Sequence, residues 1–92
     1  MSERKSKYRS RTDIIASVLR AIDEEKGEAG ITRLMYISFL SYRQVKDNLK
    51  LLKNNALLDY DTRNRKFSIT AKGLKFLNLY DKMDDILHVT GR

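Results

Sequence analysis

A change of hydrophobic period limits the folds open to this chain. Between residues 10 and 53, apolar side chains recur every three or four positions, which is typical of amphipathic helices. Between residues 58 and 70 they alternate with polar side chains, which is typical of strands. The two alternating runs flank the turn sequence TRNR, which contains an asparagine, Asn64, a residue that tolerates left-handed backbone geometry. The pattern predicts a β-hairpin placed between helices.

The helical part begins with two predicted helices of different length. The first is expected from about Ser10 to Lys26, with Ser10 or Thr12 as its N-cap and Gly27 at its end. The following sequence GEAG is predicted to be a loop. Thr32 is then expected to cap a short second helix through RLMYIS, where apolar side chains are available for burial.

A third helix has the most distinctive pattern. Ser41 and Gln44 match the S-x-x-Q capping box, in which each side chain satisfies a backbone N–H at the helix start. At about 100° per residue, one face is apolar and the nearly opposite face is basic. The apolar face contains Val45, Leu49, Leu52 and Ala56, and the basic face contains Arg43, Lys46, Lys50 and Lys53.

Length and composition exclude several classes of protein. Ninety-two residues supply one small core, and the chain has no cysteine for disulfides, zinc thiolates or a nucleophile. The single histidine, His88, has no second histidine to share a metal. Apolar runs are too short for a membrane span or a secretory signal, so a cytoplasmic location is expected. The sequence predicts no catalytic residues, metal, cofactor or small-molecule ligand.

Charge is sorted by segment in this chain. The net charge is +7, with a pI near 9.8. Residues 1–11 carry +4, residues 12–30 carry −3, residues 31–53 carry +4 and residues 54–92 carry +2. Such a basic balance favours binding to phosphate backbones.

The predicted order is helix, short helix, tight turn, basic helix, hairpin, helix. This is the order of a winged helix-turn-helix, a mostly helical α+β fold whose third helix enters the DNA major groove. In that fold Tyr42 and Arg43, in the first turn of the third helix, are placed to reach base edges, while lysines further along contact phosphates. The predicted DNA-binding set is Tyr42, Arg43, Lys46, Lys50, Lys53, Arg33, Arg63, Arg65, Lys66, Lys5, Lys7, Arg9 and Arg11.

Two other interpretations of the basic face remain open from the sequence. Lysines and arginines at helical spacing are often only a solvated surface. A winged helix can also be a protein-interaction module, whose basic face meets an acidic partner. The helix order, the basic hairpin tip and the basic N-terminal segment together favour DNA.

Three short motifs stand out along the chain. Residues 32–36 fit the pattern T-[KR]-[IL]-M-Y and residues 40–42 fit L-S-Y. The pattern T-x-K-G-x-x-F-L is met by Thr70, Lys72, Gly73, Phe76 and Leu77. With these motifs the chain resembles, from about Ser10 to Tyr80, the small archaeal winged-helix DNA-binding proteins, some of which are chromatin-associated. The resemblance implies duplex DNA binding, as a transcriptional regulator or an architectural protein, and in several members a dimer through the C-terminal helices.

A final helix is predicted from about Ala71 to Leu87, with Thr70 as its cap. Its wide apolar stripe exceeds what a small core needs, which predicts a homodimer through this helix. The stripe contains Phe76, Leu79, Tyr80, Met83, Ile86 and Leu87. The expected organisation is a flexible basic tail over 1–9, a winged helix-turn-helix over 10–70 and a dimerisation helix over 71–92.

Overall fold

The computed structural model describes residues 10–89, and the side chains of residues 10–87. Within that range four helices and a three-stranded antiparallel sheet form an α+β winged helix, as predicted. The elements are α1 (Arg11–Glu24), β1 (Glu28–Ala29), α2 (Ile31–Ser38), α3 (Tyr42–Asn54), β2 (Leu58–Asp61), β3 (Lys66–Ile69) and α4 (Ala71–Val89).

Helix α1 starts with a reciprocal cap. The Ser10 hydroxyl accepts from the Asp13 N–H, and the Asp13 carboxylate accepts from the Ser10 N–H. Ser10 is therefore the cap, rather than Thr12. The helix ends before the predicted Lys26, which already has a φ of 64° and is followed by Gly27 at 88°.

The predicted GEAG loop contains a strand. Glu28 pairs with Ser68 and Ala29 pairs with Phe67, which makes β1 an edge strand in a sheet of order β1-β3-β2. The prediction of a loop was wrong because a two-residue strand is too short to show alternation. Burial of Ala29 ties this strand to the core.

Helix α2 begins at Ile31, two residues earlier than expected. Gly30 is its N-cap, so Thr32 lies inside the first turn and does not cap the helix. Leu34 is fully buried, while Met35 and Ile37 pack partly buried against the core.

Helix α3 confirms the predicted capping box. The Ser41 hydroxyl accepts from the Gln44 N–H at 3.1 Å, and Gln44 Oε1 accepts from the Ser41 N–H at 3.0 Å. The prediction that Ala56 continues the apolar face was wrong, because the helix ends at Asn54. Ala56 is exposed with a φ of 64°, and the N–H of Leu57 returns to the carbonyl of Leu52 as in a Schellman motif.

Strands β2 and β3 form the predicted hairpin, with Tyr60 opposite Phe67. The Asp61 carboxylate closes its turn by accepting from the N–H groups of Arg63 and Asn64, and these hydrogen bonds, with the Asn64 side-chain amide, lower the pKa of Asp61. The left-handed residue of this turn is Arg65, with a φ of 57°, although Asn64 is the residue that tolerates this geometry better. Asn64 instead supports the turn through its side chain.

The first turn of helix α4 is hydrogen-bonded to the loop that joins α3 to β2. The Thr70 hydroxyl accepts from the Gly73 N–H, as predicted for its cap, and donates to the Ala56 carbonyl at 2.7 Å. The Lys72 ammonium donates to the Asn55 carbonyl at 2.9 Å. The residues of the T-x-K-G motif therefore join this helix to one loop.

One hydrophobic core fills the space between α1, α2, α3 and the sheet. Helix α1 contributes Val18, Leu19 and Ile22, which are fully buried. Val45, Leu49 and Leu52 of α3 pack in the same core, as the apolar face predicted, and Leu77 of α4 joins them. The opposite face of α3 is consequently directed away from the core.

Candidate nucleic-acid interface

The basic face of α3 is exposed along its whole length. Arg43, Lys46, Lys50 and Lys53 are all exposed, while the apolar face of the same helix is buried. The fold thus presents a row of cations on one helix, which is the arrangement the sequence predicted.

Two aromatic rings lie under these cations. The Lys46 ammonium is 5.7 Å from the centroid of the Tyr42 ring, and the Lys53 ammonium is 5.9 Å from that of Tyr60. Tyr60 in turn packs on Phe67, with ring centroids 4.6 Å apart. Contacts of this kind restrain long lysine side chains without neutralising their charge.

A groove of about 580 Å³ separates α3 from the hairpin. Four cations and an apolar floor line it, and none of the residues that the structure places around it is acidic. Sequence reasoning assigned these cations separately to helix and hairpin, and it did not find that they meet. The lining residues are Ile31, Tyr42, Lys46, Leu49, Lys50, Lys53, Tyr60, Arg65 and Phe67.

The hairpin tip extends this basic surface. Arg63, Arg65 and Lys66 are exposed, and the turn that presents them is held by Asp61. Of the three, Arg65 lines the groove, while the Lys66 ammonium lies 3.9 Å from Glu28 of β1. Arg65 therefore connects the tip to α3 most directly.

Arg33 has a different environment from the other predicted DNA-binding residues. Its guanidinium Nε lies 3.2 Å from the carboxylate of Glu25, whose hydrogen bond raises the pKa of Arg33. It also lies 5.8 Å from the centroid of the Tyr36 ring. Part of its charge is thus already paired within the chain.

The N-terminal cations are only partly described. Lys5, Lys7 and Arg9 lie outside the described residues. Arg11 is the first residue of α1 and is exposed. The His88 side chain also lies outside the described part of the chain.

The structure divides the predicted dimerisation stripe of α4. Phe76 and Tyr80 pack against the chain's own core, because they share a face with the buried Gly73 and Leu77. Tyr80 further donates a hydrogen bond to the Asp13 carboxylate of α1. The remaining members of the stripe are each more than half exposed, and they are Leu79, Met83, Ile86 and Leu87.

Sequence reasoning did not find two exposed aromatic rings, one in α2 and one in the turn that follows it. Tyr36 was treated as part of its helix and Phe39 as part of the turn, yet both rings lie largely in solvent. For Phe39 no periodic signal was available, because it stands between two helices.

A family comparison agrees with this architecture. The sequence profile of the family described as "Winged helix-turn-helix" matches residues 8–88. The chain belongs to this family. Among curated protein sequences, none matches this winged helix-turn-helix protein.

Solved structures share its fold. It resembles Sso10a-2, a DNA-binding protein from Sulfolobus solfataricus, with a TM-score of 0.79 and 24% identity, over 89% of this chain and 85% of that one. It resembles Bordetella bronchiseptica BpsR, whose DNA binding is regulated by 6-hydroxynicotinic acid, with a TM-score of 0.69 and 16% identity, over 84% and 61%. A MarR family transcriptional regulator from Silicibacter pomeroyi gives 0.68 and 16%, over 97% and 60%. The winged helix protein spans less than two thirds of the length of these last two regulators.

The part of the chain that the structure describes contains neither a candidate membrane span nor a candidate metal site. Within residues 10–89, none of the helices combines the length and apolarity needed to cross a membrane. In the same part of the chain, histidine, aspartate and glutamate side chains form no group of three that could hold a metal ion.

Proposed function

We propose that this winged helix-turn-helix protein binds duplex DNA, with α3 in the major groove and the hairpin as the wing. The observation that carries the proposal is the convergence of cations from α3 and the wing around one groove whose lining contains no acidic side chain. A surface that is basic only for solubility has no need to assemble cations from two distant segments.

The dimensions of the two partners agree. The major groove of B-DNA is about 12 Å wide and is bordered by phosphates on both sides, so it admits one helix flanked by cations. Helix α3 has exposed basic residues from Arg43 in its first turn to Lys53 in its last. Arg43 and Tyr42 are then placed at base edges, whereas Lys50 and Lys53 contact phosphates.

The wing and the N-terminal cations have supporting roles in this proposal. Arg63 and Arg65 lie along the phosphate backbone beside the groove, with Lys66 shared between phosphate and Glu28. Arg33 exchanges part of its pairing with Glu25 for phosphate. The basic segment of residues 1–9 adds sequence-independent attraction, while residues 10–70 form the DNA-binding unit.

A homodimer through α4 completes the proposal. Leu79, Met83 and Ile86 recur on one side of this helix and are not covered by the chain's own core. A second copy of α4 would bury all three, and a two-fold dimer would place two α3 helices on one duplex. The resulting protein acts as a transcriptional regulator or as an architectural DNA-binding protein.

A salt series on duplexes of several sequences tests DNA binding. Each phosphate contact steepens the slope of log K against log[salt] by about 0.9, so about six contacts per dimer predict a slope near −5. Retention on a plain cation exchanger, which carries negative charge but no DNA, serves as the reference for purely electrostatic binding. A flat response to salt removes duplex DNA as the partner, and preferential binding to an acidic protein favours the interaction-module alternative.

A further inference from the structure

Phe39 occupies an unusual position between α2 and α3. Its backbone is left-handed, with a φ of 59°, and its side chain is 90% exposed. Left-handed geometry is unfavourable for an L-residue with a bulky side chain, and glycine or asparagine adopts it more readily. An exposed ring also gains nothing from burial. Neither the turn nor the core therefore explains a phenylalanine here.

The surroundings of Phe39 indicate where such a ring is useful. Consecutive Cα atoms are about 3.8 Å apart, so the Cα of Phe39 lies within about 8 Å of that of Ser41, the N-cap of α3. Tyr42 and Arg43 are exposed at the same helix end. In the proposed function this end of α3 approaches the base edges.

An apolar ring at that place meets one chemical group in particular. On the major-groove edges of the four bases, the apolar group is the C5-methyl of thymine, and apolar side chains contact it. We propose that Phe39 contacts thymine methyl groups beside the bases that Arg43 reaches, and so gives the protein a preference for thymine. This inference rests on the proposed function, because it needs α3 in the major groove.

Replacing thymine by uracil tests the contact by removing only the methyl group. Uracil pairs as thymine does but lacks the methyl group, so two A·T-rich duplexes can differ in this group alone. Binding of the wild-type protein to both is compared with binding of Phe39→Asn, which suits the left-handed backbone, and of Phe39→Tyr, which keeps the ring. Thermal unfolding of each variant establishes that it is folded.

The expected result is a loss that depends on the ring. Burying one methylene-sized group changes affinity by about fourfold, so the wild type and Phe39→Tyr should bind the uracil duplex about fourfold more weakly for each methyl contacted. Phe39→Asn should bind both duplexes equally. Equal binding of both duplexes by the wild type, or an unchanged preference in Phe39→Asn, overturns the inference.

The controls separate this inference from the proposed function. Arg43→Ala should weaken binding to both duplexes by a similar factor and retain the fourfold preference for thymine. A wild type that binds both duplexes equally and still responds to salt refutes only the Phe39 contact. A wild type that binds neither duplex refutes DNA binding and the Phe39 contact together.

Discussion

Tyr80 of α4 donates a hydrogen bond from its hydroxyl to the carboxylate of Asp13 in the first turn of α1, 67 positions earlier in the chain. About two turns further along α1, Arg20 pairs with Asp81, the residue that follows Tyr80 on α4, and this hydrogen bond raises the pKa of Arg20. Two polar contacts therefore fix α4 against α1. They hold the helix in place while part of its apolar surface stays exposed.

Removal of the Tyr80 hydroxyl should destabilise the fold. Loss of a partly exposed hydrogen bond to a carboxylate is expected to cost about 1 kcal/mol in the Tyr80→Phe variant, measured by urea unfolding at neutral pH. Tyr60→Phe is the control, because its ring contact with Phe67 does not need the hydroxyl. Equal stability of Tyr80→Phe and wild type would contradict this role.

The same bond predicts a dependence on alkaline pH. The hydrogen bond to Asp13, with burial and the nearby carboxylate charge, raises the pKa of Tyr80 from 10.0 to about 12. The folded state thus favours the protonated hydroxyl, and its contribution is fully present below pH 10. The difference in unfolding free energy between wild type and Tyr80→Phe should decline as pH rises from 10 to about 12. A constant difference across this interval would be inconsistent with the raised pKa.

Gly73 should not accept a side chain. A Cβ at this position would lie 2.4 Å from the carbonyl oxygen of Leu57 and 2.7 Å from Cγ1 of Ile69. Since backbone cannot move aside cheaply, Gly73→Ala should lose about 1–3 kcal/mol of unfolding free energy. Gly30→Ala is the matched control, because its Cβ would meet only the carbonyl oxygen of Arg65 at 3.6 Å. If thermal unfolding gives the two variants the same stability, the close packing of α4 on this loop is wrong.

Sequence predicted the helices, the hairpin and the two faces of α3 because each has its own periodic signal. The Ser41 cap was found because its hydrogen bonds are local. Strand β1 had no such signal, since it depends on pairing with β3. The positive φ of Arg65 had none either, because it belongs to the turn between β2 and β3, where the Arg65 N–H donates to the Asp61 carbonyl. Phe76 was predicted to contact a partner helix, because the apolar pattern of α4 is continuous. It does not distinguish residues that pack on the chain's own core from those that stay exposed.

Dimerisation through α4 should depend on Met83. In the proposed dimer, Met83→Asp places a charge in an apolar seam, which is costly, so the variant should sediment as a folded monomer while the wild type dimerises. Asn78→Asp adds the same carboxylate at an exposed position off the stripe and should remain dimeric. A wild type that is monomeric across a concentration series removes the dimer from the proposal.

Arg43 and Lys53 should differ in what they contribute to binding. Arg43→Ala should cost about 1–3 kcal/mol on a preferred duplex and reduce discrimination between sequences, because base edges lie within its reach. Lys53→Ala should weaken binding to all duplexes by a similar factor and lower the magnitude of the salt slope by about 1, the value for one lost phosphate contact. Titrations on preferred and scrambled duplexes measure both effects. If Arg43 behaves as Lys53 does, the protein is architectural and not a sequence-specific regulator.

Whether the basic face of α3 binds DNA is decided by the DNA affinity of a variant in which Arg43, Lys46 and Lys50 are all alanine. Its control replaces Lys26, Lys75 and Lys82, three exposed lysines outside α3 and the hairpin, which removes the same formal charge elsewhere on the molecule. The α3 variant alone should lose a large part of its affinity and show a shallower salt slope, by about 0.9 per lost phosphate contact. Unchanged affinity in the α3 variant, or an equal loss in both, would mean that the basic face of α3 is only a solvated surface.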